Sequence, residues 1–146
     1  MTTSRLAAGK SRSIFREAAN VIYSRFARLA ALHGLEDWVS AREVGGFVAS
    51  QGFSDQAVQR DLAVLVIREL LAEGLADVGE IGSEGFESWQ ATPEVILSRV
   101  ESDVLEHPGS DWGMDIWIKN TPAGDEVGKA ARKSLDPKLW SWDLAD

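Results

Sequence analysis

Few side chains in this 146-residue sequence stand at spacings that chemistry requires. The two histidines, His33 and His107, are far apart, and neither has a second imidazole or a thiolate at metal-ligand spacing. His33 falls at a helix end, where a positive imidazole suits the dipole. There is no cysteine, which excludes disulfides, thiolate zinc sites and cysteine nucleophiles and fits a reducing compartment. Gly9-Lys10-Ser11 has the end of a phosphate loop, but that loop needs a glycine where Ser4 stands. Gly45-Gly46-Phe47 lies within a helical pattern, where glycine serves close packing rather than phosphate binding. The glycines of "GEIGSEG" belong to a turn whose acids would repel phosphate. Carboxylates are plentiful enough for an acid–base pair, yet nothing singles out two of them. No catalytic residue, cofactor site or metal site is therefore expected.

Charge is the stronger signal. The net charge is −8, unevenly distributed. Met1 to His33 carries six Lys/Arg and a single acid, whereas Gly34 to Trp117 carries four Arg and seventeen acids. An acidic body repels phosphate backbones and attracts basic proteins. No apolar run approaches the ~20 residues that span a bilayer. The opening "MTTSRLAAGKSRSIFR" lacks a secretory signal core and reads as a basic arm rather than a transit peptide. A cytoplasmic location is expected.

The elements that must position these groups follow from periodicity and caps. Phe15, Ile22, Phe26 and Leu29 recur at helical spacing, predicting a helix from Ser11 or Ser13 to about Leu32, with Arg12, Arg16, Arg25 and Arg28 mostly off that face. "DWVS" is short and extended. Ser40 and Glu43 form a capping box for a helix with Val44, Phe47 and Val48 as its stripe, ended by Gly52. Ser54 is expected to cap a long helix to Gly74, burying Leu62, Leu65, Val66 and Leu70, with Ala63 and Ile67 widening the face. "LADVGEI" and "FESWQA" read as strands joined by "GSEG". Thr92-Pro93 and Thr121-Pro122 open two further helices, with "MDIWIKN" a strand between them. Trp38, Trp89 and Trp117 are expected in the core. Trp112, in a loop, and Trp140 and Trp142, in the tail, are candidate interface anchors.

The order helix, short strand, helix, helix, strand, turn, strand over residues 12–91 resembles a winged helix-turn-helix domain. "VIRELLAEGLADVG", "GFESW" and "WIKNTPAGDEV" resemble a group of small bacterial proteins of unassigned function. The fold class expected is α+β, mainly α with a small antiparallel sheet. One domain spans 1–146: a winged-helix-like core (12–91), a helix-strand-helix extension (92–135) and a tail (136–146). The winged-helix resemblance implies DNA binding by the third helix and wing. The third helix, however, sets Arg60 and Arg68 against Asp55, Asp61, Glu69 and Glu73, and the wing from Asp77 to Glu87 has no Lys or Arg.

The expected partner is thus a basic protein, bound by an acidic module of immunity or antitoxin type through Asp77, Glu80, Glu84, Glu87 and Trp112. The helices around Asp55–Glu73 and Glu94–Glu106 are the next candidates. A winged-helix transcription regulator is the alternative, using the basic arm where the third helix cannot serve. An enzyme with an unmarked site and a merely solvated acidic face also stay open. Contact between the basic first helix and a second acidic body would give a homodimer.

Overall fold

The computed structural model describes residues 23–107, 109 and 112–135. The caps expected at Ser11 and Ser13, the arm with Arg12 and Arg16, and Trp140 and Trp142 lie outside the described residues. Among those described, five helices and a four-stranded antiparallel sheet form an α+β fold. In chain order these are α1 (Arg25–His33), β1 (Val39–Ser40), α2 (Ala41–Ser50), α3 (Gln56–Ala72), β2 (Ala76–Gly82), β3 (Gly85–Ser88), α4 (Pro93–Glu106), β4 (Trp117–Asn120) and α5 (Pro122–Ser134). None of these helices is long and apolar enough to cross a membrane.

The first helix corrects the sequence reading. Ser24 is its N-cap, with extended backbone (ψ 154°), and Ser24 Oγ accepts from the Ala27 amide at 3.1 Å. The helix expected from Ser11 or Ser13 to Leu32 therefore does not include Tyr23 and Ser24, and its expected part before residue 23 lies outside the described residues. The Ser24 amide donates to the Glu69 carboxylate at 2.9 Å, tying the start of α1 to α3. His33, the last residue of α1, stacks on Phe47 of α2 with ring centroids 4.6 Å apart.

The Ser40–Glu43 capping box forms as its residue types demand. At α3 the cap moves by one residue: Asp55, not Ser54, accepts from the Ala57 and Val58 amides. The end of α3 is a Schellman motif. Gly74 takes φ +69°, and the amides of Gly74 and Leu75 return to the carbonyls of Leu71 and Leu70. Thr92 and Thr121 cap α4 and α5, each followed by proline at the first helical position.

The buried stripe of α3 is Ala63, Val66, Ile67 and Leu70. Leu62 is half-buried and Leu65 is 50% exposed, correcting their expected place on the core face. Adjacent helical residues differ by about 100°, so a stripe centred on Val66 and Ile67 turns Leu65 outward. Phe47 of α2 is buried as expected, in the same core cluster as the α3 stripe.

The sheet order is β1-β4-β2-β3. Val39, Ile118 and Val78 align across three strands and are all buried, so this row forms the sheet's contribution to the core. β4, from the segment after residue 92, lies between β1 and the β2–β3 hairpin, so the later elements share the sheet and core of the earlier ones. The strand is shorter than "MDIWIKN" suggests, because Met114 and Asp115 belong to a turn. Beyond β4, Thr121 Oγ1 donates to the Gly74 carbonyl at 2.6 Å and Asn120 Nδ2 to the Ala31 carbonyl at 2.8 Å. These bonds seat the start of α5 on the end of α3 and on α1.

Candidate interaction site

The expected interface residues do not assemble as one patch. On the hairpin, Glu80 and Glu87 face each other across β2 and β3, an unfavourable like-charge pair that persists because both reach water. Glu84 lies in the exposed two-residue turn, and the Glu87 carboxylate extends over Gly82. Asp77, an odd number of residues from Glu80, is on the opposite face, directly across from Lys119 of β4. It therefore has a cation beside it and does not share a face with Glu80.

Trp112 is a second correction. It is only 4% exposed and belongs to the core, so it does not present a surface anchor. Its ring fills the space above Gly45 of α2, where a Cβ would stand 2.8 Å from the indole. Gly45 does serve close packing, of a loop tryptophan rather than a helix. Trp38, Trp89 and Trp117, expected inside, are each only half-buried. Trp38 rests beside Phe86, 6.0 Å between ring centroids.

A cleft of about 560 Å³ opens between the hairpin, α4 and the turn before β4. Glu80, Ile81 and Trp89 line one side, Arg99, Ser102, Asp103 and Glu106 of α4 another, and Asp115, Ile116 and Trp117 the third. Its carboxylates come from three separate chain segments, which is why the sequence did not group them. The helix Glu94–Glu106 was expected only as a secondary candidate, and Arg99, the sole Lys or Arg in α4, was passed over.

The cleft has an ordered centre. The Arg99 guanidinium lies 3.7 Å from the centroid of the Trp89 ring and 3.8 Å from the Glu80 carboxylate. The Trp89 indole N–H donates to Glu80 Oε1 at 2.8 Å. Both charged side chains are about half exposed, so water screens the pair and its stabilisation is small, ~0–1 kcal/mol. The cation–ring contact adds a similar ~0.5–1 kcal/mol. Asp103 is held more firmly. One oxygen accepts from the Gly113 amide at 2.8 Å and the other stands 3.3 Å from His107 Nδ1. Asp103 thereby anchors the turn that carries Asp115 and Ile116. That turn is fixed from α2 as well, since the Ala41 amide donates to the Ile116 carbonyl at 2.9 Å.

Chemically, the cleft is an acceptor-rich, aromatic-walled groove. Glu106 and Asp115 are exposed on its rim, Asp103 is half-buried within it, and Glu80 is engaged by Trp89 and Arg99. No group of three or more metal-ligating side chains converges among the described residues. No protein-family model, curated protein or solved structure matches the chain.

Proposed function

We propose that the chain is a non-enzymatic, acidic protein-binding module, of the kind that neutralises or docks a basic partner as immunity and antitoxin-type proteins do. The observation that carries this reading is the cleft wall: Glu80, Asp103, Glu106 and Asp115 surround it, and Arg99, the only Lys or Arg among its described lining residues, is laid against Trp89. Carboxylates set in a concave surface focus their field and raise the local concentration of cations. The volume suits one or two long cationic side chains of a partner segment. Glu84 and Glu87 on the adjoining hairpin extend the negative field beyond the cleft. The basic segment is expected to be steered by this field, with the gain mainly in association rate.

The competing reading, a winged-helix regulator, is favoured by the order α1-β1-α2-α3-β2-β3. Its chemistry is poor, because α3 carries Arg60 and Arg68 alongside Asp61 and Glu69 and the hairpin carries only acids. Phosphate contacts supply most non-specific DNA affinity, and acids in those positions oppose it.

The test is surface plasmon resonance with immobilised Lys/Arg-rich peptides at low and high salt. Glu106→Lys with Asp115→Lys is expected to slow association roughly tenfold relative to wild type. Glu36→Lys with Glu126→Lys makes the same change in net charge outside the cleft lining and is expected to have a much smaller effect. Equal slowing by the two pairs would reduce the cleft to bulk charge and remove this reading. Submicromolar, salt-sensitive binding of duplex DNA, lost on replacing Arg60 and Arg68, would put the regulator in its place.

A further inference from the structure

The outward face of α3 is not used by the core. Val58, Asp61, Leu65, Arg68 and Ala72 succeed one another at steps of three and four residues, so they form one stripe along the helix. All five are exposed, Leu65 to 50% and Val58 to 39%. The stripe alternates apolar and charged residues, and it is nearly symmetric about Leu65. Val58 and Ala72 stand seven residues to either side, Asp61 four before and Arg68 three after.

The two charges have no local use. The helical neighbours of Asp61 are Ala57, Val58, Val64 and Leu65, and those of Arg68 are Val64, Leu65, Leu71 and Ala72. Neither Asp61 nor Arg68 makes an ion pair or side-chain hydrogen bond among the described residues. An isolated exposed ion on a helix is unremarkable by itself. An acid and a base placed about equally far from a central exposed leucine form a self-complementary pattern.

We propose that this stripe is the contact between two copies of the chain, with their α3 helices packed antiparallel about a two-fold axis beside Leu65. In that arrangement Asp61 of each copy faces Arg68 of the other, the two Leu65 side chains meet at the axis, and each Val58 lies against the far end of the opposite helix. The contact is isologous, so each attractive pair occurs twice. Parallel packing would set Asp61 against Asp61 and Arg68 against Arg68, so the charges select the antiparallel register. A single helical seam buries less than a permanent dimer requires, so the association is weak and depends on concentration. The dimer also covers the outward face of α3, making dimerisation and DNA reading by that helix mutually exclusive.

Sedimentation equilibrium of the full chain from micromolar to millimolar concentration tests this. Wild type is expected to follow a monomer–dimer equilibrium. Asp61→Arg creates two like-charge contacts and should weaken the dimer roughly tenfold or more, as should Arg68→Asp. The double variant restores both attractive pairs in reversed sense and should recover most of the wild-type association. Because the chain has no cysteine, Leu65→Cys is a clean reporter. Mild oxidation should link two copies through position 65, whereas Glu126→Cys on α5 should stay largely monomeric. Circular dichroism checks that each variant, altered only at an exposed position, is folded. A wild type that sediments as a monomer throughout, a double variant that is no better than the single ones, or absence of the position-65 crosslink would each overturn the proposal. A monomeric Leu65→Cys chain that resists thiol reagents would likewise overturn it and point to another part of the same chain as the cover.

Discussion

Ile67→Ala is expected to destabilise the fold by about 2–5 kcal/mol, while Leu65→Ala, two residues earlier on the same helix, should change stability by only about 0.5 kcal/mol or less. Both substitutions remove apolar groups from α3. Ile67 is fully buried, however, and Leu65 is half exposed. At Ile67 the loss combines the transfer energy of the removed carbons with a cavity that the core closes only partly, since α3 is flanked by α2 on one side and α4 on the other. At Leu65 the removed atoms already face water, and alanine's better helix propensity offsets part of what contact is lost. Urea titrations of the two variants, with unchanged slopes, check this. Equal midpoints would mean that the core face of α3 is not the one centred on Val66 and Ile67. Leu65→Ala should also weaken the proposed dimer, so the titrations belong at low protein concentration, where the monomer alone is compared.

The α3 face shows how far periodicity carries and where it stops. The stretch from Asp55 to Gly74 is rich enough in apolar residues that both the 62/65 and the 63/67 rows satisfy helical spacing, and the sequence alone weights the larger side chains. The fold selects the row containing Ala63 instead, and Ala63, Val66, Ile67 and Leu70 form the buried stripe. Local chemistry was more legible than facing. The Ser40–Glu43 capping box, the Gly74 stop, the Thr-Pro helix starts at residues 92 and 121, and the "GSEG" turn all rest on backbone requirements met within a few residues. Ser24 was missed as a cap because the apolar spacing runs through it without interruption.

The candidate site was less legible for the same reason. Glu80 could be singled out on a hairpin, but its relation to Arg99 and Trp89 depends on how α4 returns beside β2, and Asp115 enters through a turn pinned by Asp103. The tryptophans make the point most directly. Burial of Trp112 depends on the missing side chain of Gly45, 67 positions earlier in the chain. A loop flanked by Gly, Ser and Asp gives no local hint of it. Trp89, in a strand-like segment, instead lends its ring face to a cation. Sequence spacing identifies which residues share an element. It does not identify which elements share a cleft.

Gly128→Ala and Gly124→Ala in α5 are expected to destabilise the chain, by roughly 1–3 kcal/mol each. Helix propensity alone predicts the opposite sign, since alanine in place of a helical glycine should stabilise by about 1 kcal/mol. Packing decides against propensity here. Gly124, Gly128 and Ala131 recur at helical spacing, and all three are buried. A Cβ at Gly128 would stand 2.5 Å from the Ala31 carbonyl oxygen of α1 and 3.0 Å from Leu35. A Cβ at Gly124 would collide with the Leu75 carbonyl oxygen, which accepts from the Thr121 amide. These obstacles are backbone atoms rather than flexible side-chain ends, so relief requires moving α5 away from α1 or from the end of α3. That movement would strain the Asn120–Ala31 and Thr121–Gly74 hydrogen bonds and, through β4, the middle of the sheet. Thermal melts followed by far-ultraviolet circular dichroism read the effect, with Lys129→Ala on the exposed face of α5 as the matched comparison. A rise in melting temperature for Gly128→Ala would show that α1 and α5 are not in backbone contact. A fall for both glycines beside an unchanged Lys129→Ala would establish that α5 is held by close approach, and that its N-terminus keeps β4 in place between β1 and β2.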